Sequence, residues 1–355
     1  MVIVDNPGDW DHVYWPLLHA EWHGWTPTDL IFPFFLFMVG VSTTLGRAGP
    51  QPWSRVLRRT AWLLGLGWFL AGYPRFDLAR WRIPGVLPRI GVCYLASAAI
   101  VYLVRRRRET SDGLAMARLV AWAGVLTTIY WIGMMFVPGP TGVAGDLSPA
   151  GNLGAWIDRA LFGPHLWRQN PWDPEGLAST VPAVATTLAG VVAGLWMRVA
   201  GSRERMLRGW FYGGAAALAL GLAWDQVFPI NKNLWTSSFT WFTAGAAAWA
   251  LAATSLVFDA PSSRWRDAMA VPWLVLGRNA IALFVVSALV VKTLLFIKVT
   301  GAGGRSVSLA GWIYRTTCVP LASPYNASLL YAGANLAVLF ALLWAMHRRG
   351  WYLRV

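Results

Sequence analysis

Apolar residues run through this chain in long stretches that are separated by short polar segments. A helix needs about 20 mostly apolar residues to cross the hydrocarbon core of a membrane. Stretches near this length predict an all-α, polytopic transmembrane helical bundle of nine spans: 29–46, 59–73, 89–104, 117–137, 177–198, 207–227, 236–258, 272–297 and 327–346. Residues 1–355 are predicted to form a single transmembrane domain.

The first residues, Met1-Val2-Ile3-Val4, are apolar but far too few to cross a membrane. They are typical of the end of a helix. We therefore expect that the N-terminus is truncated within a first helix, and that roughly 15–20 further residues precede Met1 in the full-length protein.

Arginines are concentrated in every second loop between the apolar stretches, with one exception at 74–89, an external loop that carries Arg75, Arg80, Arg82 and Arg89. Apart from this exception, such loops are predicted to be cytoplasmic, because positively charged loops remain on that side. They comprise 47–58, 105–116, 199–206, 259–271 and the C-terminus. The opposite loops, including 8–28 and 138–176, are richer in acid and are predicted to be external. This alternation predicts a multi-pass protein of the inner membrane with a cytoplasmic C-terminus.

Composition supports the membrane assignment and excludes one alternative. Only 13% of the residues are charged and 56% are hydrophobic, whereas a soluble domain has about 25% charged residues. The 24 tryptophans suit the membrane interface. The formal net charge of +14 does not indicate nucleic-acid binding, because the arginines lie in short loops between apolar stretches.

The first external loop contains His12, His19 and His23, three of the five histidines in the chain. Imidazole is the side chain best suited to move a proton near neutral pH. His19 and His23 are four residues apart in a glycine-containing loop, which is weak evidence for a metal, and no metal site is predicted. An interfacial loop with incidental histidines remains the alternative.

Three further polar motifs stand at or within apolar stretches. Asp173-Pro174-Glu175 precedes one span, where acids also suit a helix start. Asn231-Lys232-Asn233 precedes another, and Arg278-Asn279 falls inside 272–297. Charge within the membrane is costly and indicates function by default, although Arg278 could also extend to the cytoplasmic surface. Because the external motifs share one membrane face, we expect His19, Asp173–Glu175 and Asn231–Asn233 to converge on one outward cavity, with Asn279 below it.

Together these motifs resemble the bacterial relatives of heparan-α-glucosaminide N-acetyltransferase, a family of multi-pass membrane acyltransferases. The resembling segments occur in family order over nearly the whole chain: 2–37, 82–89, 151–190, 228–236 and 277–280. The resemblance implies an enzyme that takes the acetyl group of cytosolic acetyl-CoA. It delivers this group to the amine of an amino sugar on the far side of the membrane.

The resemblance assigns the catalytic residues, and the chemistry of the polar motifs assigns the other site residues. His19-Ala20-Glu21-Trp22-His23-Gly24 matches the family's His-Ala-x-Trp-x-Gly motif, which makes His19 the catalytic histidine, and Asn6 occupies the place of a second catalytic residue. Acetyl-CoA is assigned to Arg278 and Asn279. The expected substrate-binding residues are Trp22, Asp29, Arg82, Arg89, Asp173, Glu175, Asn231, Lys232, Asn233 and Trp235. The chain lacks the Ser-Leu-Asp-x-x-Arg-Gly helix start that is usual in the family.

We therefore expect an acetyl-CoA-dependent N-acetyltransferase in which His19 acts as a base or as an acyl carrier. Its expected partners are membrane lipid, acetyl-CoA and an amino-sugar acceptor, with no nucleic acid and no metal cofactor. The acceptor and the oligomeric state, including a homo-oligomer, stay open. The alternatives are a transporter or channel for a polar solute, which the absence of an internal repeat disfavours, and a non-catalytic membrane scaffold.

Overall fold

A computed structural model of the protein describes residues 1–45, 51–106, 110–259, 263–301 and 304–353. The helices within these ranges are α1 (Val2–Asp5), α2 (Ile31–Thr44), α3 (Trp53–Gly72), α4 (Val86–Arg105), α5 (Asp112–Phe136), α6 (Leu153–Phe162), α7 (Leu177–Val199), α8 (Arg203–Asp225), α9 (Ser237–Phe258), α10 (Arg264–Arg278), α11 (Ala280–Phe296), α12 (Leu309–Ile313) and α13 (Pro324–Arg348). Strands β1 (Lys298–Thr300) and β2 (Ser306–Ser308) pair antiparallel. Residue 46, the last of the predicted span 29–46, lies outside the described residues, as do 47–50, 107–109, 260–262 and 354–355 of the predicted cytoplasmic segments.

Six described helices are long and apolar enough to cross a membrane: α2 together with the turn before it, α4, α5, α7, α9 and α13. The bent pair α10 and α11 gives a seventh if it is one span. An all-α, multi-pass membrane protein is thus confirmed, whereas the predicted number of nine spans is not. Helices α3 and α8 occupy two of the predicted positions, but their first two turns carry several arginines, including Arg58 and Arg205.

The predicted span at 272–297 is wrong as a single helix, because the chain bends by 68° between α10 and α11. Asn279 stands at the bend with non-helical backbone angles (φ −121°, ψ 31°). Its buried side chain donates to the carbonyl oxygen of Trp351 (3.3 Å) and accepts from the amide of Leu353 (3.1 Å). The polar side chain therefore ties the helix break to the segment after α13.

Helix α7 lies at the centre of the packed helices. It contacts α2, α4, α5 and α9, and 72% of its apolar segment is buried within the protein. The backbones of α2 and α7 approach so closely that a side-chain carbon at Gly190 would overlap the backbone oxygen of Phe37. Small residues permit this approach between membrane helices. The contact fixes α2, and with it the loop that leads into α2, against α7.

Candidate active site

The site begins in the turn that precedes α2. Asp29 stands three residues after Thr26 at the start of this turn, in the spacing of a capping box. Its Oδ2 accepts hydrogen bonds from the backbone amides of Ala20 and Thr26, both at 3.0 Å, and from the Thr26 hydroxyl at 3.1 Å. Only 1% of Asp29 is exposed. The carboxylate is therefore fixed in position and largely satisfied by its own loop.

The free side of the Asp29 carboxylate faces His19. Oδ1 of Asp29 lies 2.6 Å from Nδ1 of His19, whose side chain is 45% exposed. We assign the proton to Nδ1 because a carboxylate can only accept. In the neutral ring this leaves a lone pair on Nε2. Nε2 is therefore the atom that can act as a base or as a nucleophile. A buried carboxylate that orients an accessible imidazole is the relation that Asp and His have in serine hydrolases.

Lys232 completes a cluster of three charged or polar groups. Its Nζ lies 2.8 Å from Nδ1 and 3.3 Å from Nε2 of His19, and 3.4 Å from Oδ1 of Asp29. The side chain is only 17% exposed. An ammonium group thus stands beside both ring nitrogens of the histidine. Because Nδ1 already carries a proton, this ammonium can donate only to Nε2 or to Asp29.

The two loops that meet in this cluster are joined through their backbones. Gly24 forms a parallel bridge with Asn231, and its amide donates to the carbonyl oxygen of Ile230 at 2.8 Å. Gly24 has a φ of +93°, a conformation that residues with a Cβ rarely adopt. The glycine that ends the His19 motif therefore has a structural role, because it allows the loop to turn and to hold Lys232 beside His19.

The segment after this bridge folds as a tight turn. The Asn231 side chain is fully buried, and its Oδ1 accepts from the amide of Leu234 at 2.9 Å. Trp235 is also buried, and its indole donates to the Thr186 hydroxyl at 3.2 Å. Neither residue reaches open space. Asn231 and Trp235 hold the turn together, and Lys232 and Asn233 face outward from it.

A cavity of about 540 Å³ opens beside this cluster. It is lined by parts of all three external motifs, namely His19, Pro174, Glu175, Lys232 and Asn233, together with Arg82, Asp5, Glu21, Trp167 and Trp172. The three external motifs therefore converge on one cavity, as expected. Asn279 is not part of the lining, so its predicted place below the cavity is wrong, and it contacts the C-terminal segment instead.

Arg82 and the acidic motif form one wall of the cavity through a buried network. Asp173 accepts from Nε of Arg82 at 2.9 Å and from the amides of Trp167 and Glu175 at 2.8 and 2.9 Å. Arg82 also pairs with Glu175. Burial alone would lower the pKa of Arg82, but the neighbouring carboxylates outweigh this and raise its pKa. Asp173 is buried and saturated with donors, so its role is to hold the wall; Arg82 and Glu175 themselves line the cavity.

Arg89, predicted to bind substrate, is instead buried between α4 and α7. It donates to the Gly176 carbonyl oxygen at 2.9 Å and to the Ser179 hydroxyl, and its guanidinium lies 5.1 Å from the ring centroid of Trp235. Only 2% of it is exposed. Helix α4 begins at Val86, so Arg89, three residues later, lies in the first turn of the helix and is directed into the protein interior instead of the cavity.

The other predicted site residues are placed as follows. Asn6 donates through Nδ2 to the Val2 carbonyl oxygen (2.7 Å) and the Ser287 hydroxyl (3.3 Å), and it lines an adjoining cavity of about 640 Å³. Its placement does not support a donor role beside His19. Trp22 lies behind the wall, and its indole donates to the Leu147 carbonyl oxygen. Arg278 is exposed at the end of α10, with its guanidinium 5.8 Å from the Tyr352 ring centroid.

Among the lining residues that were missed from the sequence, four carry a carboxylate or an indole: Asp5, Glu21, Trp167 and Trp172. Trp172 directly precedes the acidic motif and Glu21 lies inside the histidine motif, so their positions beside these motifs were the available signal. In the described part of the chain, no group of three or more His, Cys, Asp or Glu side chains is arranged to hold a metal ion.

The fold and this site define a multi-pass, all-α membrane protein with an accessible histidine oriented by a buried carboxylate. No family profile matches the chain. The chain is 29% identical to human heparan-α-glucosaminide N-acetyltransferase over 67% of its own length and 44% of the human protein. The mouse protein of the same name is 28% identical over the same shares. The chain is thus a distant relative of these N-acetyltransferases, and it spans a little under half the length of each.

Proposed function

We propose that this protein is a transmembrane acetyltransferase that moves an acetyl group from cytosolic acetyl-CoA to the amine of an amino sugar on the outer side of the inner membrane. The observation that carries the proposal is the contact between His19 and the buried Asp29 at the wall of the cavity. The relation to N-acetyltransferases supports the same reaction class.

The chemistry requires a free amine, a stabilised oxyanion and the exclusion of water. In direct transfer, Nε2 of His19 takes a proton from the amine as its nitrogen bonds to the thioester carbonyl carbon. The carbon–sulfur bond then breaks, and the departing CoA thiolate receives that proton. In two-step transfer, Nε2 itself attacks the carbonyl carbon and CoA leaves as the thiolate. The amine then attacks the same carbon, the bond from that carbon to Nε2 breaks, and the proton that the amine loses passes to the thiolate or to water. Both routes use the lone pair that Asp29 orients.

Lys232 suits the role of oxyanion stabiliser. The carbonyl oxygen gains negative charge as either nucleophile adds, and a fixed positive group near that oxygen stabilises it more strongly than water does. Nζ of Lys232 lies 3.3 Å from Nε2 of His19, close to where that carbon must sit. Its interaction with Asp29 holds the ammonium in this place.

Acetyl-CoA must enter from the cytoplasm, and its phosphates favour arginine. Arg278 is exposed at the end of α10 beside the C-terminal segment, and the arginine distribution predicts that this segment is cytoplasmic. We assign Arg278 to the phosphates. Asn279 is assigned a supporting role, because both Oδ1 and Nδ2 of its side chain already form hydrogen bonds to that segment.

The decisive experiment uses the protein in liposomes with radiolabelled acetyl-CoA and a panel of amino sugars. We expect labelled product from the wild type, and a loss of roughly 10²–10⁴-fold or more in His19→Ala. His12→Ala is the matched control, because His12 is in the same loop but pairs with Asp9. An acetylated His19 peptide, trapped without acceptor, would identify the two-step route. Normal turnover in His19→Ala would refute the assignment.

A further inference from the structure

Three tryptophans form a cluster at one wall of the cavity. The ring centroid of Trp172 lies 5.2 Å from that of Trp22 and 5.7 Å from that of Trp167, with interplanar angles of 69° and 51°. Trp167 and Trp172 line the cavity, whereas Trp22 lies behind them. Trp172 is thus held between two other indoles and lines the same cavity as His19 and Lys232.

The wall is anchored to the rest of the site. The Trp22 indole donates to the Leu147 carbonyl oxygen at 2.9 Å, and the Trp167 amide donates to Asp173 at 2.8 Å. Arg168 and Gln169, which follow Trp167, have φ of +50° and +57°, a left-handed conformation that is uncommon for residues other than glycine. A loop held in such a conformation by surrounding contacts is often part of a functional site.

These tryptophans differ from the aromatic residues that belong to a membrane interface. Trp10 and Trp15 are 61% and 65% exposed, as expected for side chains that lie among lipid headgroups. Trp167 and Trp172 are half-buried and share their cavity with charged residues. An aromatic wall inside a polar cavity indicates a ligand with one apolar face and several polar groups.

The charges in the cavity restrict that ligand further. Its two cations are already paired, Arg82 with Glu175 and Lys232 with Asp29. The lining also contains the carboxylate of the exposed residue Glu21. A cationic ligand is therefore favoured over an anionic one. An aminopyranose meets both conditions, because its ring presents a face of C–H groups and its amine is protonated in water.

We propose that Trp172, supported by Trp167 and Trp22, is the platform on which the pyranose ring of the acceptor stacks. The negative face of the indole attracts the partly positive ring C–H groups. The platform would then make the enzyme select cyclic amino sugars over acyclic amines of similar basicity. This inference deepens the proposed function and rests on it for the identity of the reaction.

The test compares acetyl transfer to glucosamine with transfer to ethanolamine, an acyclic amine, in Trp172→Leu and Trp172→Phe. Leucine keeps the apolar bulk but removes the aromatic face. We expect Trp172→Leu to lower kcat/KM for glucosamine by roughly 3- to 10-fold while transfer to ethanolamine stays within twofold. Trp172→Phe should retain most of the selectivity, and Trp10→Leu, at an exposed position, should retain all of it. An equal loss of kcat/KM for both amines, or no loss for either, would show that Trp172 is not a platform for the sugar ring.

A second readout separates this inference from the proposed function. Saturation-transfer NMR of glucosamine with the wild type should show transfer to the ring C–H protons, retained in Trp172→Phe and lost in Trp172→Leu. If the wild type acetylates neither amine, the proposed function fails, and the NMR result alone decides whether the sugar ring stacks on Trp172. Absence of transfer with the wild type, or its persistence in Trp172→Leu, would refute stacking at Trp172.

Discussion

Helix α7 and helix α13, which belongs to the C-terminal part, are buried to very different extents. In α7, 72% of the apolar segment is enclosed by other helices, whereas in α13 the share is 17%. Every residue that lines the His19 cavity, apart from Phe284 of α11, precedes α10 in the chain. The site therefore depends on loops attached to the closely packed helices, and substitutions around α7 should affect it more than substitutions near the C-terminus.

The largest effect is expected at Asp29, where the turn before the closely packed helix α2 contacts His19. Asp29→Asn removes the charge that orients His19 and contacts Lys232, and an amide can also present its NH₂ group to Nδ1 and favour the wrong tautomer. We expect acetyl transfer to fall by roughly 10²–10⁴-fold, measured as kcat in liposomes. Thr26→Ser retains the hydroxyl that bonds to Asp29 and should keep normal turnover. An active Asp29→Asn protein would show that His19 does not need this carboxylate.

The second prediction tests the packing difference itself with one substitution in each region. Gly190→Ala places a carbon against the backbone oxygen of Phe37, so α2 and α7 must separate. We expect a destabilisation of about 1–3 kcal/mol, seen as a lower Tm. At Gly333 in α13, nothing lies within 4 Å of an added carbon. Gly333→Ala should be neutral or stabilising by up to about 1 kcal/mol. Equal effects at both positions would remove the basis of the comparison.

The third prediction concerns the junction between the two site loops. Gly24→Ala puts a side chain at a φ of +93°, which costs about 1–2 kcal/mol. The loop should then shift, and Lys232 should move away from His19. We expect a loss of about tenfold in kcat, which corresponds to about 1.4 kcal/mol. Gly65→Ala in α3, where the added carbon meets no neighbour, is the matched control. Unchanged turnover in Gly24→Ala would mean that the bridge to Asn231 does not position Lys232.

The sequence predicted the membrane class and part of the site, and particular residues show why it went no further. Long apolar stretches are local features, and His19 and Lys232 stood out as polar groups beside them. The partners of a side chain are not local. Asp29 has the spacing of a capping residue after Thr26, but nothing in the sequence shows that its other oxygen faces His19. Arg89 stands near Arg82 in the sequence, yet the start of α4 at Val86 places it in the interior.

The smallest effect is expected at Asn279, in the less buried region. Its amide bonds to Trp351 and Leu353 hold the C-terminal segment against the break between α10 and α11. Asn279→Ala removes two hydrogen bonds of modest net value, about 1 kcal/mol each. We expect faster carboxypeptidase cleavage of that segment and a change in kcat of less than threefold. Asn335→Ala, which removes a bond to Tyr331 within α13, should leave cleavage unchanged. If Asn279→Ala instead raised KM for acetyl-CoA tenfold with cleavage unaltered, Asn279 would contact the co-substrate directly, as Arg278 is proposed to do, and would not merely hold the C-terminal segment.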